Sequence, residues 1–419
     1  MPVVELRFGP FLLDLGASRL TCDSSEVRLR PRAFHVLKVL LLHRGEPVGY
    51  EQMLAEAWQG TYVSRHTVDV TVAEIRKALG EYGRWIARRP KVGYSIDVPS
   101  SDELVRKGWH FWSRRTREGV ERAIECFRQA ADECPADFQA YEGLSSSYLT
   151  LATFGMCPPR EMYPGFLDAH NRAVALGGLR PQLRCNIGYA LYVFERRAAE
   201  AEQELLQVIR DKPTLAAAYV RLAMLYASRG RSDEALDVIG RGYDVDALLP
   251  MMPTIEMTVR LWRREYGEAV DIGARAVELH PYVQIVRAIY GEALRWHGRT
   301  EDALAQFQRG SVMSPDLPWL RALEAAAFAE LGRRQEACAI LDELETLRRT
   351  EYVDAYHMAS LRIALGETNS ALAELERACE ENSAWMYQID VDPKVDCLRG
   401  DPRFVRVRDT VMNEHAFTH

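Results

Sequence analysis

Six alanines in register constrain this chain more than any other feature. Ala201, Ala235, Ala269, Ala303, Ala337 and Ala371 follow one another at a spacing of 34 residues. A fixed period of that length marks a stack of supersecondary units. Four of the six have glycine five positions earlier, at Gly230, Gly298, Gly332 and Gly366. Four positions after each alanine stand Leu205, Ile239, Gly273, Phe307, Leu341 and Leu375, and twelve after it three units carry Pro213, Pro281 and Pro315. Ala123, Phe127, Ala130 and Pro135 repeat the pattern upstream, and Ala169, Ala173 and Pro181 form a looser copy. The small residue lets two antiparallel helices approach closely, glycine turns between them, and proline stops the second helix. The register predicts about eight helix pairs over residues 103–383.

These units resemble the tetratricopeptide repeat. First-helix positions match at Tyr141, Leu144 and Tyr148, at Tyr219, Leu222, Ala223 and Tyr226, and at Gly291 and Leu294. Unit two is expected to carry an insertion around Phe154 to Tyr163, with Pro158, Pro159 and Pro164, and unit five a poor first helix after Pro250 and Pro253. Residues 384–419 read as a cap. Asp392-Pro393 and Asp401-Pro402 are N-cap and first-turn pairs, and Phe404 and Val407 would cover the last repeat. By the register, the concave groove presents Asn186, Met224, Trp262, Glu292, Arg295, Trp296 and Tyr356. Trp262, Trp296 and Arg295 suit a protein, peptide or small-molecule effector, held by stacking and a charge-assisted hydrogen bond.

The first hundred residues differ in kind. Apolar runs over Leu6 to Leu13, at Leu20 and over Val27 to Leu29 read as short antiparallel strands. A helix entered through Pro31 buries Phe34, Leu37, Leu40 and Leu41, and the segment from Gly45 to Gly49 breaks it. A second helix turns Met53, Leu54 and Trp58 inward. A third is N-capped by Ser64, striped with Val68, Val72, Ile75 and Leu79, and ended by Gly80. From Tyr82 to Ile96 a hairpin follows with Arg84, Arg88, Arg89 and Lys91 and no acid.

Strands, three helices and a basic hairpin resemble the OmpR/PhoB-type winged helix-turn-helix. The residues that carry the resemblance are PRAFHVLKVLLLHRGEPV, YEQMLAEAW, TVDVTVAEIRKALG and the ending RRPKVGYSI, in order, over residues 1–100. It implies that the helix from Arg65 reads the major groove of duplex DNA. His66 and Arg76 would stand near phosphates, Thr67, Val70, Thr71 and Glu74 would face base edges, and Lys91 would mark the wing tip. Arg65, Lys77, Arg88 and Arg89 complete the candidate interface. Glu74 and Ala73 depart from the family's basic residues, which weakens grip, although a glutamate can accept from cytosine N4.

The fold expected is mainly α: a winged helix followed by an α-solenoid and a cap. Residues 1–100 hold 14 Lys and Arg against 11 Asp and Glu, a net of +3, and the remainder 39 against 49, a net of −10. Only the first part can lie against phosphate, and a dimer or a second contact would supplement so modest a charge. No run of apolar residues is long enough to span a membrane, no signal-peptide pattern opens the chain, and eight cysteines without any C-x-x-C read as reduced, mostly buried thiols. The expectation is a cytoplasmic protein. The histidines lack metal-ligand spacing, and no P-loop, G-x-G-x-x-G or G-x-S-x-G occurs, so no cofactor, metal or enzymatic activity is expected. The reading is a bacterial-type transcription regulator that binds DNA and engages an effector or RNA polymerase. An adaptor whose winged helix contacts protein is the alternative, favoured by Glu74 and the low charge.

Overall fold

The computed structural model describes residues 5–8, 11–22, 25–43, 46–58, 63–98 and 101–413. Gly45, Pro99 and Ser100, which the sequence marked as breaks, lie outside them. The chain divides into two compact units, Met1–His110 with Ala123–Tyr141 and Phe111–Arg122 with Glu142–His419.

Short apolar runs separated by turn residues cannot bury themselves as helices, and they pair as a meander. Strands β1 (Glu5–Phe8), β2 (Phe11–Asp14), β3 (Arg19–Cys22) and β4 (Ser25–Val27) form one antiparallel sheet, with Leu13 opposite Leu20 and Phe8 opposite Phe11. Helices α1 (Pro31–Leu42), α2 (Tyr50–Trp58) and α3 (Arg65–Ala78) follow, with β5 (Val48–Gly49) between the first two. A 3-10 turn over Gly80–Trp85 leads into β6 (Ile86–Arg89) and β7 (Gly93–Ile96), and β7 lies between β5 and β6. One core joins them: Phe8, Leu13 and Leu20 from the first sheet, Leu37 and Leu40 from α1, Met53 from α2, Val68, Val72 and Ile75 from α3, and Ile96 from β7 are all buried. Ser64 is the N-cap of α3, but its hydroxyl caps no backbone amide and lies 3.4 Å from the Thr67 hydroxyl instead.

Helices α4 (Ser101–Trp112), α5 (Arg117–Glu133), α6 (Phe138–Thr153), α7 (Pro159–Gly177), α8 (Pro181–Val193), α9 (Ala198–Asp211), α10 (Ala216–Ser228) and α11 (Ser232–Val245) open the repeats. They continue as α12 (Met251–Trp262), α13 (Tyr266–Leu279), α14 (Gln284–Trp296), α15 (Thr300–Met313), α16 (Pro318–Glu330), α17 (Arg334–Leu347), α18 (Ala355–Ala364) and α19 (Thr368–Glu380). Half of the expected insertion is helix: residues 154–158 turn, and α7 begins at Pro159 and contains Pro164. Nor is α12 irregular: Pro253 falls in its first turn, where its missing N–H costs nothing, and is buried there.

The six register alanines are all fully buried. Gly230, Gly298, Gly332 and Gly366 all turn with positive φ, between 73 and 84°. In the two units without that glycine, Arg196 (φ 61°) and Arg264 (φ 64°) occupy the same position. Gly273 stands where other units place a large apolar residue. A Cβ there would lie 2.2 Å from Cδ2 of Tyr290, so the ring of the next helix fills the space the side chain has vacated. Among the eight cysteines only Cys185 is buried; Cys134 and Cys397 are exposed and the rest half-buried. They are less enclosed than expected.

After α19 the chain forms 3-10 turns over Met386–Gln388 and Pro393–Leu398, then α20 (Pro402–Met412). Phe404, Val407 and Val411 of α20 pack with Leu372, Leu375 and Ala378 of α19, the role expected of a cap. The stretch before α20 crosses the first helices of the preceding repeats, as described below.

Candidate nucleic-acid interface and the inner face of the repeats

Helix α3 is fixed to the wing by polar contacts as well as by its apolar stripe. Asp69 accepts from the Tyr50 hydroxyl at 2.9 Å and the Tyr94 hydroxyl at 2.8 Å, and Arg88 lies 4.0 Å away. Burial pushes the Asp69 carboxyl up, but Tyr94, Tyr50 and Arg88 together hold it below the usual carboxylate range. The same burial and hydrogen bond raise the Tyr94 phenol, which stays neutral. Arg76 donates from Nε and Nη2 to the Ile86 carbonyl at 3.1 and 2.6 Å and lies 5.7 Å from the centre of the Tyr94 ring. Helix, hairpin and α2 are thereby set in one orientation.

What remains outward is a single stripe. His66, Val70, Ala73 and Lys77 are exposed at helical spacing, with Arg65 beside them. Thr67 is half-buried. Thr71 does not face outward: it is buried, and its hydroxyl donates to the Thr67 carbonyl at 2.8 Å. Arg76 is committed to the wing backbone rather than free for phosphate. Glu74 is half-buried, 3.9 Å from Arg30. Arg89 turns to Ser95 at 2.9 Å and to Asp97 at 2.7 Å, which offsets its charge. Lys91 stands at the β6–β7 turn with φ 66°, exposed, next to exposed Val92. The structure thus brings Arg65, His66, Val70, Ala73, Lys77, Arg88 and Lys91 to the surface, withdraws Thr71 and Arg76, and leaves Arg89 exposed but paired with Asp97. The sequence reading missed Asp69 as the anchor, because its partners Tyr50 and Tyr94 are brought to it only by the fold.

Residues 24–96 match the family model described as transcriptional regulatory protein, C terminal. This is an OmpR/PhoB-type winged-helix domain. The domain is similar to the transcriptional activator CadC of Escherichia coli strain K12, 28% identical over 102 residues, which is 23% of this chain and 20% of that protein. It is also similar to the phosphate regulon transcriptional regulatory protein PhoB of Pseudomonas aeruginosa, 34% identical over 97 residues, 23% of this chain and 42% of that one. The chain therefore spans less than half the length of these relatives. Across the chain, a solved structure of a human IFIT1 dimer with m7Gppp-AAAA is similar at a TM-score of 0.51 and 15% identity, over 83% of this chain and 90% of that chain. That is a likeness of fold. Behind the winged-helix domain lies a helical array of the tetratricopeptide type. No helix among the described residues is long and apolar enough to cross a membrane.

The inner face of that array is not the open groove the register suggested. Asn186 is buried in a chain of hydrogen bonds, donating to the Ser146 hydroxyl at 3.0 Å and accepting from Arg221 at 2.8 Å. Met224 packs half-buried against the core. The other five candidates meet residues 382–398 or their immediate neighbours. The Tyr356 hydroxyl donates to Asp392 at 2.6 Å, and Lys394 reaches Glu292 at 3.1 Å. Arg295 donates to Glu292 at 3.2 Å, stands 3.5 Å from Glu330, and lies 5.4 Å from the Trp296 ring centre. Trp262 meets Tyr387 edge-on at 6.4 Å, and Trp296 stacks on Tyr266 at 6.1 Å. Burial alone would lower the Lys394 ammonium, but Asp392 and Glu292 outweigh it and keep the group charged. Glu292, Arg295, Tyr356 and Asn186 are therefore closed to a ligand in this arrangement.

The residues that hold the segment include several the sequence reading passed over. Arg264 donates to the Val391 carbonyl at 2.9 Å and to both carboxylate oxygens of Asp396 at 2.9 and 2.7 Å. Arg196 donates to Asn382 at 3.1 Å, and Asn382 donates to the Phe194 carbonyl at 3.0 Å. Asp354 accepts from Ser383 at 2.7 Å, while Trp385 lies against Trp319 and His357. A signal was present: Arg196 and Arg264 break the glycine register at the same turn position.

Proposed function

We propose that the chain is a DNA-binding transcription regulator whose winged-helix domain reads duplex promoter DNA through α3 and the wing. The observation that carries the reading is the outward stripe of His66, Val70, Ala73 and Lys77, flanked by exposed Arg65, Arg88 and Lys91. Short side chains on a helix backed by a packed core suit entry into a major groove, Val70 suits a thymine methyl, and the cations suit phosphates on either side. Asp69, by tying α3 to Tyr50 and Tyr94, fixes the angle between helix and wing, so both engage one duplex together. The repeats supply contact with a protein or peptide partner, and transmit its presence to the domain that holds DNA. A second copy at an adjacent half-site would double a modest electrostatic grip. We also read the chain as non-catalytic, working inside the cell beside the genome.

The test is selection from a random duplex pool at moderate salt, followed by a salt titration of the recovered site. A recovered motif with log affinity falling by about 0.9 per neutralised phosphate against log salt supports the reading. No enrichment and no slope would refute it. A protein-binding winged helix is the second reading, and one observation favours it: Val70 and Val92, 54% and 47% exposed, place apolar side chains on both α3 and the wing tip.

A further inference from the structure

Residues 382–398 lie across the inner face as a ligand would. The segment is neither helix nor strand beyond two 3-10 turns, and its backbone bonds are mostly those of local turns. It meets the solenoid through anchors spread over successive first helices and the turns that follow them. Asn382 engages Arg196 after α8, Tyr387 meets Tyr192 of α8 and Trp262 of α12, and Asp396 engages Arg264 after α12. Lys394 reaches Glu292 of α14, Trp385 lies on Trp319 of α16, and Asp392 accepts from Tyr356 of α18.

Met386, Ile389, Val395 and Leu398 of the segment are buried in one cluster with α18, α19 and α20, and two features set its polar contacts apart from ordinary core packing. First, the two turns that grip the segment accept left-handed backbone at arginine, whereas four sister turns use glycine. A side chain in that conformation strains the backbone, which glycine avoids at the sister turns, so the guanidiniums are retained against strain. Second, the fit is incomplete. A cavity lies beside the segment, lined by Trp262, Glu292 and Trp296 on the helices and by Trp385, Gln388 and Lys394 on the segment. Around it, on the helices, Glu292 Oε1, Arg295 Nε and Trp296 Nε1 are buried without a hydrogen-bond partner among the described residues. Unmet buried polar atoms are costly, and a segment that supplied their partners would bind the same surface better.

We propose that the inner face is a recognition channel for an extended peptide, that residues 382–398 are its resident occupant, and that a partner protein enters by displacing them. The partner segment presents an aromatic residue and two carboxylates at the spacing of Tyr387, Asp392 and Asp396, because those are the groups the face is built to hold. Polar groups beyond these three would satisfy the atoms left unpaired around the cavity. This deepens the reading above, in which the repeats engage a protein partner, and rests on it.

The experiment uses the full-length protein and a fluorescent synthetic peptide of residues 382–398. A doubly substituted chain, Asp392→Asn with Asp396→Ala, loosens the resident segment while leaving the helices intact. It is expected to bind the peptide about tenfold or more tighter than the unsubstituted chain, because the competent state is no longer rare. A peptide carrying the same two substitutions is expected not to bind. A folded double variant that binds no better than the unsubstituted chain overturns the proposal. Should that variant unfold, hydrogen exchange on the unsubstituted protein decides. Exchange of amides 383–398 ahead of α12, α14 and α16 supports it, and exchange only with global unfolding overturns it. A concentration-dependent dimer of the unsubstituted chain, formed by reciprocal exchange of the segment, identifies a second copy as the occupant and overturns the partner assignment. DNA selection with the same preparations separates the two readings: a recovered DNA motif without peptide exchange removes the channel alone, and peptide exchange without a motif removes the DNA reading alone.

Discussion

Arg264→Gly sets two effects of one side chain against each other, and their sizes can be worked from the structure. Glycine would relieve left-handed backbone at φ 64°, a gain of about 1–2 kcal/mol. Against it stand the bonds from the guanidinium to the Trp262 carbonyl at 2.8 Å, to the Val391 carbonyl at 2.9 Å and to Asp396. A hydrogen bond from a charged donor contributes about 1.5–3 kcal/mol. The Asp396 pair has side chains 35% and 42% exposed, so screening reduces it to about 0–1 kcal/mol. The bond to Trp262 lies within the turn and roughly cancels the relief of strain. The bonds to Val391 and Asp396 hold the crossing segment, which loses about 2 kcal/mol. We predict a melting midpoint within about 4 °C of the unsubstituted protein. Amides 389–396 should exchange about tenfold or more faster, since 1.4 kcal/mol is tenfold. Native-state hydrogen exchange read by mass spectrometry is the assay. Unchanged exchange in the segment would refute the assignment of Arg264 as its clamp, and a large drop in midpoint would refute the estimate of strain.

Lys77→Ala and Lys91→Ala should each weaken duplex binding and lower the slope of log affinity against log salt by about one, with no change in melting; equal slopes by fluorescence anisotropy would remove them from the interface. Arg76→Ala should instead destabilise the winged-helix domain by about 1–3 kcal/mol, through loss of two bonds to the Ile86 carbonyl, as urea unfolding would record. Gly291→Ala would place a Cβ 2.4 Å from Cε1 of Phe307 and should cost about 1–3 kcal/mol by overpacking, against a near-neutral result if α14 and α15 can part. His170 is buried and its imidazole is lowered from the ordinary 6.5 by burial, so folding disfavours its charged form. Its contribution is therefore full above pH 6.5 and declines as the pH falls through that value toward the lowered one; His170→Phe should flatten that part of the midpoint-against-pH curve in calorimetry.

Much of this fold was legible before any coordinate, because it is written locally. An alanine every 34 residues states that a helix pair closes there, and each of the six is fully buried. Gly298 and its three counterparts state a left-handed turn, since a residue without a Cβ adopts it freely. The stripe of Val68, Val72 and Ile75 named the buried side of α3, and the basic hairpin named the wing. These are properties of neighbouring residues, and spacing alone reveals them.

Tertiary structure decided what spacing leaves open. Thr71 and Ala73 are two positions apart on one helix; packing buried the first and left the second outward, because the approach of α1, α2 and the hairpin sets the width of the covered side. Arg76 reads as a phosphate contact until the Ile86 carbonyl is found within its reach, a partner brought there only by the hairpin's return. The inner face shows the same division more sharply. By register, Trp262, Glu292 and Tyr356 belong to an open groove. Whether a groove is open depends on where a segment 36 to 125 residues away comes to rest. That segment carries no periodicity to announce its path. It is held by one ion pair here and one aromatic edge there, and only the folded chain brings those partners together.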